Sequence, residues 1–174
     1  MTQTTQSAGI ELQAGDIFCS RNPMALGGII NTVQKFWASD NESKYTHAGI
    51  ILNPSGETIE SLWTVKNQNI FMDYSGEQVI IGRHSGMTLA SSMAGKLAID
   101  EHENQWYPFL RLLLFGLPPF AKYLYFRRVV CSELTAKFLW GAGLTSYWKG
   151  VNPDMIYDMI VRWKHFKIVF EGKI

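Results

Sequence analysis

The sequence predicts an α+β fold in which a small antiparallel sheet packs against helices. Three observations predict it. Residues 46–52 and 57–63 form two strand-like runs around Asn53-Pro54-Ser55-Gly56, which is turn chemistry and gives an antiparallel hairpin. Helical spacing dominates from residue 87 onward. A loosely alternating run at residues 164–171 then supplies a last strand.

Taken in order, residues 1–12 are polar and read as a loose lead-in. Gly15-Asp16 is a turn signal, and Ile17-Phe18-Cys19 follows it as a short strand. Residues 24–37 carry Ile29, Ile30, Val33, Phe36 and Trp37 at helical spacing, entered by Asn22-Pro23. Residues 39–44 are a polar loop, and the hairpin comes next. Residues 78–82 are a further strand, and residues 87–106 a helix broken by Pro108. A short apolar helix at 111–115 stops at Gly116-Leu117-Pro118-Pro119. Residues 132–140 form a helix that ends at Gly141 and Gly143. Asn152-Pro153 opens another over 153–160.

Composition narrows the function classes. The 174 residues are 47% hydrophobic and 18% charged, which favours one packed domain over disorder. Sixteen basic against fifteen acidic residues leave no basic excess to bind nucleic acid. The first residues lack a basic and apolar leader, and no run reaches the length of a membrane span, so the expected location is cytoplasmic. Two cysteines do not make a disulfide scaffold, and two free thiols are expected. Neither has a Cys-x-x-Cys partner, so structural zinc is not expected.

Three residues could carry chemistry. Cys131 follows Val129-Val130 and opens a helix, where unpaired N–H groups and the helix dipole favour thiolate. Arg127 and Arg128 push the same way if they face it. Position alone also fits an inert core cysteine. His47 leads an apolar strand, beside the core, where a neutral imidazole can take a thiol proton or serve a structural role. If the turn pairs Leu52 with Glu57, then Gly49 faces Glu60, and His47 lies one diagonal step from Glu60 on the same face. Glu60 then orients the imidazole or simply faces solvent; Thr58 and Ser61 take its place in another register. Among the other histidines, His102 lies in the acidic run 100–103 and reads as a solvated face. His84 reads as loop and His165 as structural. Trp63, Trp106, Tyr107, Trp140 and Trp148 read as core or groove wall.

Together, Gly15-Asp16-Ile17, Thr46-His47-Ala48-Gly49-Ile50, Glu60 and Val130-Cys131-Ser132-Glu133-Leu134 resemble the circularly permuted NlpC-like papain group, especially its YiiX/YebB-like branch. The resemblance covers roughly residues 14–140. It implies a permuted papain-like fold with Cys131 as nucleophile, His47 as general base and Glu60 as the residue orienting it. Gly15-Asp16 then matches a recurrent, mainly structural Gly-Asp.

The activity so implied is amide hydrolysis through a thioester, on a small peptide or acyl substrate, without metal or cofactor. The lecithin:retinol acyltransferase-like branch shares the order of residues. The apolar stretch 106–126 therefore keeps a lipid-directed acyltransferase or lipase, with peripheral membrane contact, as an alternative. A non-catalytic binding module is the third reading.

Overall fold

The structure is a computed structural model that describes residues 9–21, 45–62, 64–106 and 129–174. The expected helix at 24–37, the loop at 39–44, the apolar segment 107–126 with its helix at 111–115, Trp63, Arg127 and Arg128 lie outside the described residues.

The strands are β1 (Ile17–Ser20), β2 (His47–Ile51), β3 (Glu57–Ser61), β4 (Val65–Asn69), β5 (Gln78–His84) and β6 (Phe166–Lys173). Among the described residues they form one antiparallel sheet in the order β4-β3-β2-β1-β5-β6. Helices α1 (Ile70–Asp73), α2 (Leu89–Ile99), α3 (Cys131–Gly141) and α4 (Pro153–Arg162) complete the α+β arrangement.

Central β1 shows why the sheet is buried on both sides. Its side chains alternate: Ile17 and Cys19 enter one core, Phe18 the other. The first core joins Ala48, Ile50, Ile59 and Ile80 to Leu134 and Phe138 of α3 and to Ile156, Met159 and Ile160 of α4. The second joins Phe18, Ile51, Val79 and Ile81 to Leu12, Ile70 and Tyr74. Each fully buried Ile or Phe contributes about 1.5–3 kcal/mol. Gly15 takes φ +93°, as the turn into β1 requires. Asp16 is buried and grips Arg83 of β5 through Oδ1 on Nε (2.7 Å) and Oδ2 on Nη2 (2.8 Å). The Gly-Asp pair is thus a structural pin between strands.

Capping follows the sequence. Asn152 Oδ1 accepts from Met155 N at 2.8 Å, and Pro153 begins α4. Thr88 and Ser91 exchange side-chain and backbone bonds at the start of α2. The expected helix at 87–106 stops at Ile99. A 3-10 turn, Asp100–His102, follows, and Asn104 at φ +61° turns the chain back onto β4. There Val65 N donates to Gln105 O, and Thr64 bridges Trp106. Two elements give no sequence signal. Val65-Lys66-Asn67-Gln68-Asn69 lacks apolar alternation and forms β4 by pairing at the sheet edge. Short α1 is capped by Asn69, whose Oδ1 accepts from Phe71 N at 3.0 Å. Among the described residues no helix is long and apolar enough to cross a membrane.

Candidate active site

Cys131 is the first residue of α3, and Val130 before it is extended (φ −84°, ψ 166°). Leu134 N is the first amide to bond back along the helix, to Val130 O at 2.9 Å. The amides of Cys131, Ser132 and Glu133 therefore lie outside the helical ladder. Buried Glu133 secures this turn by accepting from Val130 N (3.5 Å) and Gly150 N (2.9 Å). That is half of a capping box, because Val130 has no side-chain acceptor to complete it. Ser61 Oγ donates to Val129 O at 3.2 Å and ties the approach to β3.

The sheet makes room for the sulfur. The β2–β3 ladder has only two pairs, Ile50↔Ile59 and Ile51↔Thr58. Continued, it would pair Ala48 with Ser61. The ladder stops short of that pair, and the Ala48 and Ser132 amides lie near enough to the Cys131 sulfur to favour its thiolate. Cys131 belongs to the helix on the first core, whereas His47 and Glu60 share the opposite face with Phe18 and Tyr74. Nucleophile-type and base-type side chains meet where β2 and β3 part.

The register is the one the hairpin turn predicts: Leu52 N donates to Glu57 O at 2.7 Å. Gly49 then faces Glu60. A Cβ on Gly49 would lie 2.5 Å from the Phe18 ring and 3.0 Å from Glu60 Cγ. Only glycine lets the Glu60 side chain cross to His47. His47 Nε2 and Glu60 Oε2 are 2.8 Å apart, with 1% and 0% exposure. With Nε2 so engaged, Nδ1 is the nitrogen left for a second partner, and Cys131 is near enough to act on the charge of the imidazole.

Glu60 accepts two further bonds. Thr58 Oγ1 donates to Oε1 at 2.5 Å, and Tyr74 Oη donates to Oε2, the oxygen already on His47. The Tyr74 ring lies nearly parallel to His47 and edge-on to Phe18. Ser20, the β1 neighbour of His47, sits beside the Tyr74 hydroxyl, but its buried Oγ closes no geometrically sound hydrogen bond.

Electrostatics favour a charged pair. Burial opposes charge on His47, but the Cys131 sulfur and the Glu60 carboxylate outweigh it and push its pKa up to about 10. Burial likewise opposes the Cys131 thiolate, yet His47 and the amides of Ala48 and Ser132 bring its pKa below the usual thiol value. Tyr74 moves the other way: burial and the Glu60 charge keep its hydroxyl protonated. Cys19 is a contrast, since burial and the nearby Cys131 raise its pKa well above the ordinary value.

The three residues singled out by sequence therefore come together, and Thr58 joins them on Glu60 rather than replacing it. Tyr74 is the participant that sequence reasoning missed. Other expectations need correction. His102 is buried at 4% exposure, because Lys137 of α3 and Gln105 enclose it (2.8 and 3.0 Å). His84 ends β5 and its ring lies 5.7 Å from that of His165 in the turn before β6. Trp106 is exposed, as its strand-like bridge lies at the outer edge of β4; Trp140 is also exposed, on the outer side of α3.

No protein-family model matches the sequence, nor does any curated protein. The architecture does match a solved structure, that of metalloprotein YiiX from Escherichia coli O157:H7. The TM-score is 0.65 at 15% identity, over 94% of this chain and 99% of that one. This chain has the YiiX fold. The expected α+β class, with an antiparallel sheet against helices, holds. A metal does not fit the described residues, where no three His, Cys, Asp or Glu side chains are grouped to bind one. At the Cys131 cluster His47 Nε2 is already engaged with Glu60, and Glu60 accepts three hydrogen bonds.

Proposed function

We propose that the chain is a cysteine hydrolase of the permuted papain type, cleaving an amide through a thioester. One observation carries this reading: a helix-start cysteine lies close enough to a histidine for each to shift the other's charge, and that histidine's Nε2 is held 2.8 Å from a buried carboxylate. A nucleophile, a base and an orienting group in that order are what acyl transfer needs. The YiiX fold and the resemblance to the NlpC-like papain group support the same reading.

In this mechanism the Cys131 thiolate attacks the substrate carbonyl carbon. The oxyanion draws on amides at the start of α3, Cys131 and Ser132 being nearest. His47, already protonated, gives its proton to the leaving amine as the C–N bond breaks, leaving a thioester on Cys131. A water then loses a proton to His47 and attacks the thioester, releasing the acid and the thiolate. Glu60 holds His47 through Nε2, so Nδ1 stays aimed at sulfur.

The test uses p-nitrophenyl acetate as an activated acyl donor. One equivalent of nitrophenol should be released in a burst, with an acetyl group on the Cys131 peptide by mass spectrometry. Cys131→Ala, folded by circular dichroism, should give neither. An adduct that persists in that variant, or sits on Cys19, contradicts the reading.

A further inference from the structure

We infer that Tyr74 is a positioning residue of this site, acting through Glu60 to keep the His47 proton on the imidazole; this rests on the Cys131–His47 pair proposed above. Glu60 Oε2 receives both His47 Nε2 and the Tyr74 hydroxyl, and Oε1 receives Thr58 Oγ1. In the proposed ion pair two negative groups, the Cys131 thiolate and the Glu60 carboxylate, flank one imidazolium among side chains that are all buried. The Tyr74 hydroxyl offsets part of that excess negative charge without adding a titrating proton. It is also anchored: its ring packs edge-on against Phe18 at 5.3 Å, and its carbonyl accepts from Glu77 N at 2.9 Å.

Without the hydroxyl, Oε2 keeps only the His47 bond, and the proton on Nε2 is drawn toward the carboxylate. The imidazole then supports the thiolate less, and Cys131 reacts only at higher pH. Thr58 does the same from the other oxygen, so its loss should act in the same direction. Tyr74 touches no reacting atom, so its effect is on the proton's position.

The test is the rate of Cys131 alkylation by iodoacetamide against pH, with Cys19→Ala as background. Tyr74→Phe keeps the ring and removes the donor. Its thiolate midpoint should move up by about one pH unit, roughly a tenfold slower reaction on the acid limb. Thr58→Val should shift it the same way, and Thr58→Ser should restore it. A folded Tyr74→Phe protein with the parent profile overturns the assignment, even if His47→Ala moves the profile. If His47→Ala leaves the profile unmoved, the underlying pair is absent and the assignment falls with it. A substitution-free check is the Tyr74 hydroxyl proton by NMR: it should be slow to exchange and should shift when Cys131 is alkylated. No response to alkylation also overturns the assignment.

Discussion

Two buried histidine clusters flank α3, and under the proposed function only one of them moves a proton. His47 meets Cys131 at the first residue of the helix; His102 meets Lys137 near its middle. Both imidazoles are buried, and both have a carboxylate nearby. The partner on the second nitrogen separates them. Cys131 brings an acidic proton that His47 can hold. The Lys137 ammonium has only hydrogens to offer, so His102 Nε2 must accept and Nδ1 donates to Gln105 Oε1. The carboxylates differ as well: Glu60 has no exposure and three donors, whereas Glu101 is 70% exposed and pairs with Lys137. A buried histidine near an acid does not identify a base. What lies on its other nitrogen does.

The strongest way to break this contrast is His47→Ala. It leaves buried Glu60 without its cation, at a cost of about 3 kcal/mol. Chemical denaturation should register that loss, while Cys131 alkylation near pH 6.5 slows by about tenfold or more. Equal stability and equal reactivity would place His47 with His102 as a structural group.

A pH titration of stability should separate the clusters next. The His47 pKa is raised from 6.5 to about 10 in the fold, so protonation stabilises the native state. Its contribution is complete below about pH 6.5 and is lost as pH rises through about 10. The Cys131 pKa is lowered, so its contribution is present at high pH and fades as pH falls through the folded value. Between about pH 6.5 and the ordinary thiol value of about 8.5 the two contributions oppose each other, so the parent's melting temperature should stay nearly flat there and fall only as pH rises on toward about 10.

Gly49→Ala sharpens the comparison from the backbone side. The added Cβ meets Phe18 and Glu60 Cγ, and overpacking of this kind costs about 1–3 kcal/mol. Alkylation at low pH should slow as Glu60 is displaced from His47. Lys137→Met is the smallest perturbation: about 1 kcal/mol for the lost donor, with the alkylation profile unchanged. A shifted profile in that variant would couple the two clusters.

Much of the favourable cluster was legible because its geometry is local. The Asn53–Gly56 turn sets the hairpin register, and the register puts His47 and Glu60 on one face. Cys131 was legible as the residue between an extended Val-Val and a helix. Tyr74 was not, because it arrives by way of β4, a polar edge strand that exists only through pairing with β3. The burial of His102 was hidden for a related reason. Its acidic neighbours suggest solvent, but the cation that encloses it comes from 35 residues away on α3.

The most direct measurement is the pH dependence of Cys131 alkylation by iodoacetamide, in the parent and in His47→Ala, both with Cys19→Ala. A thiolate–imidazolium pair predicts rapid reaction below about pH 7 in the parent and a marked slowing there once His47 is removed. A thiol that stays inert, or that titrates near the ordinary value of about 8.5 whether or not His47 is present, contradicts it.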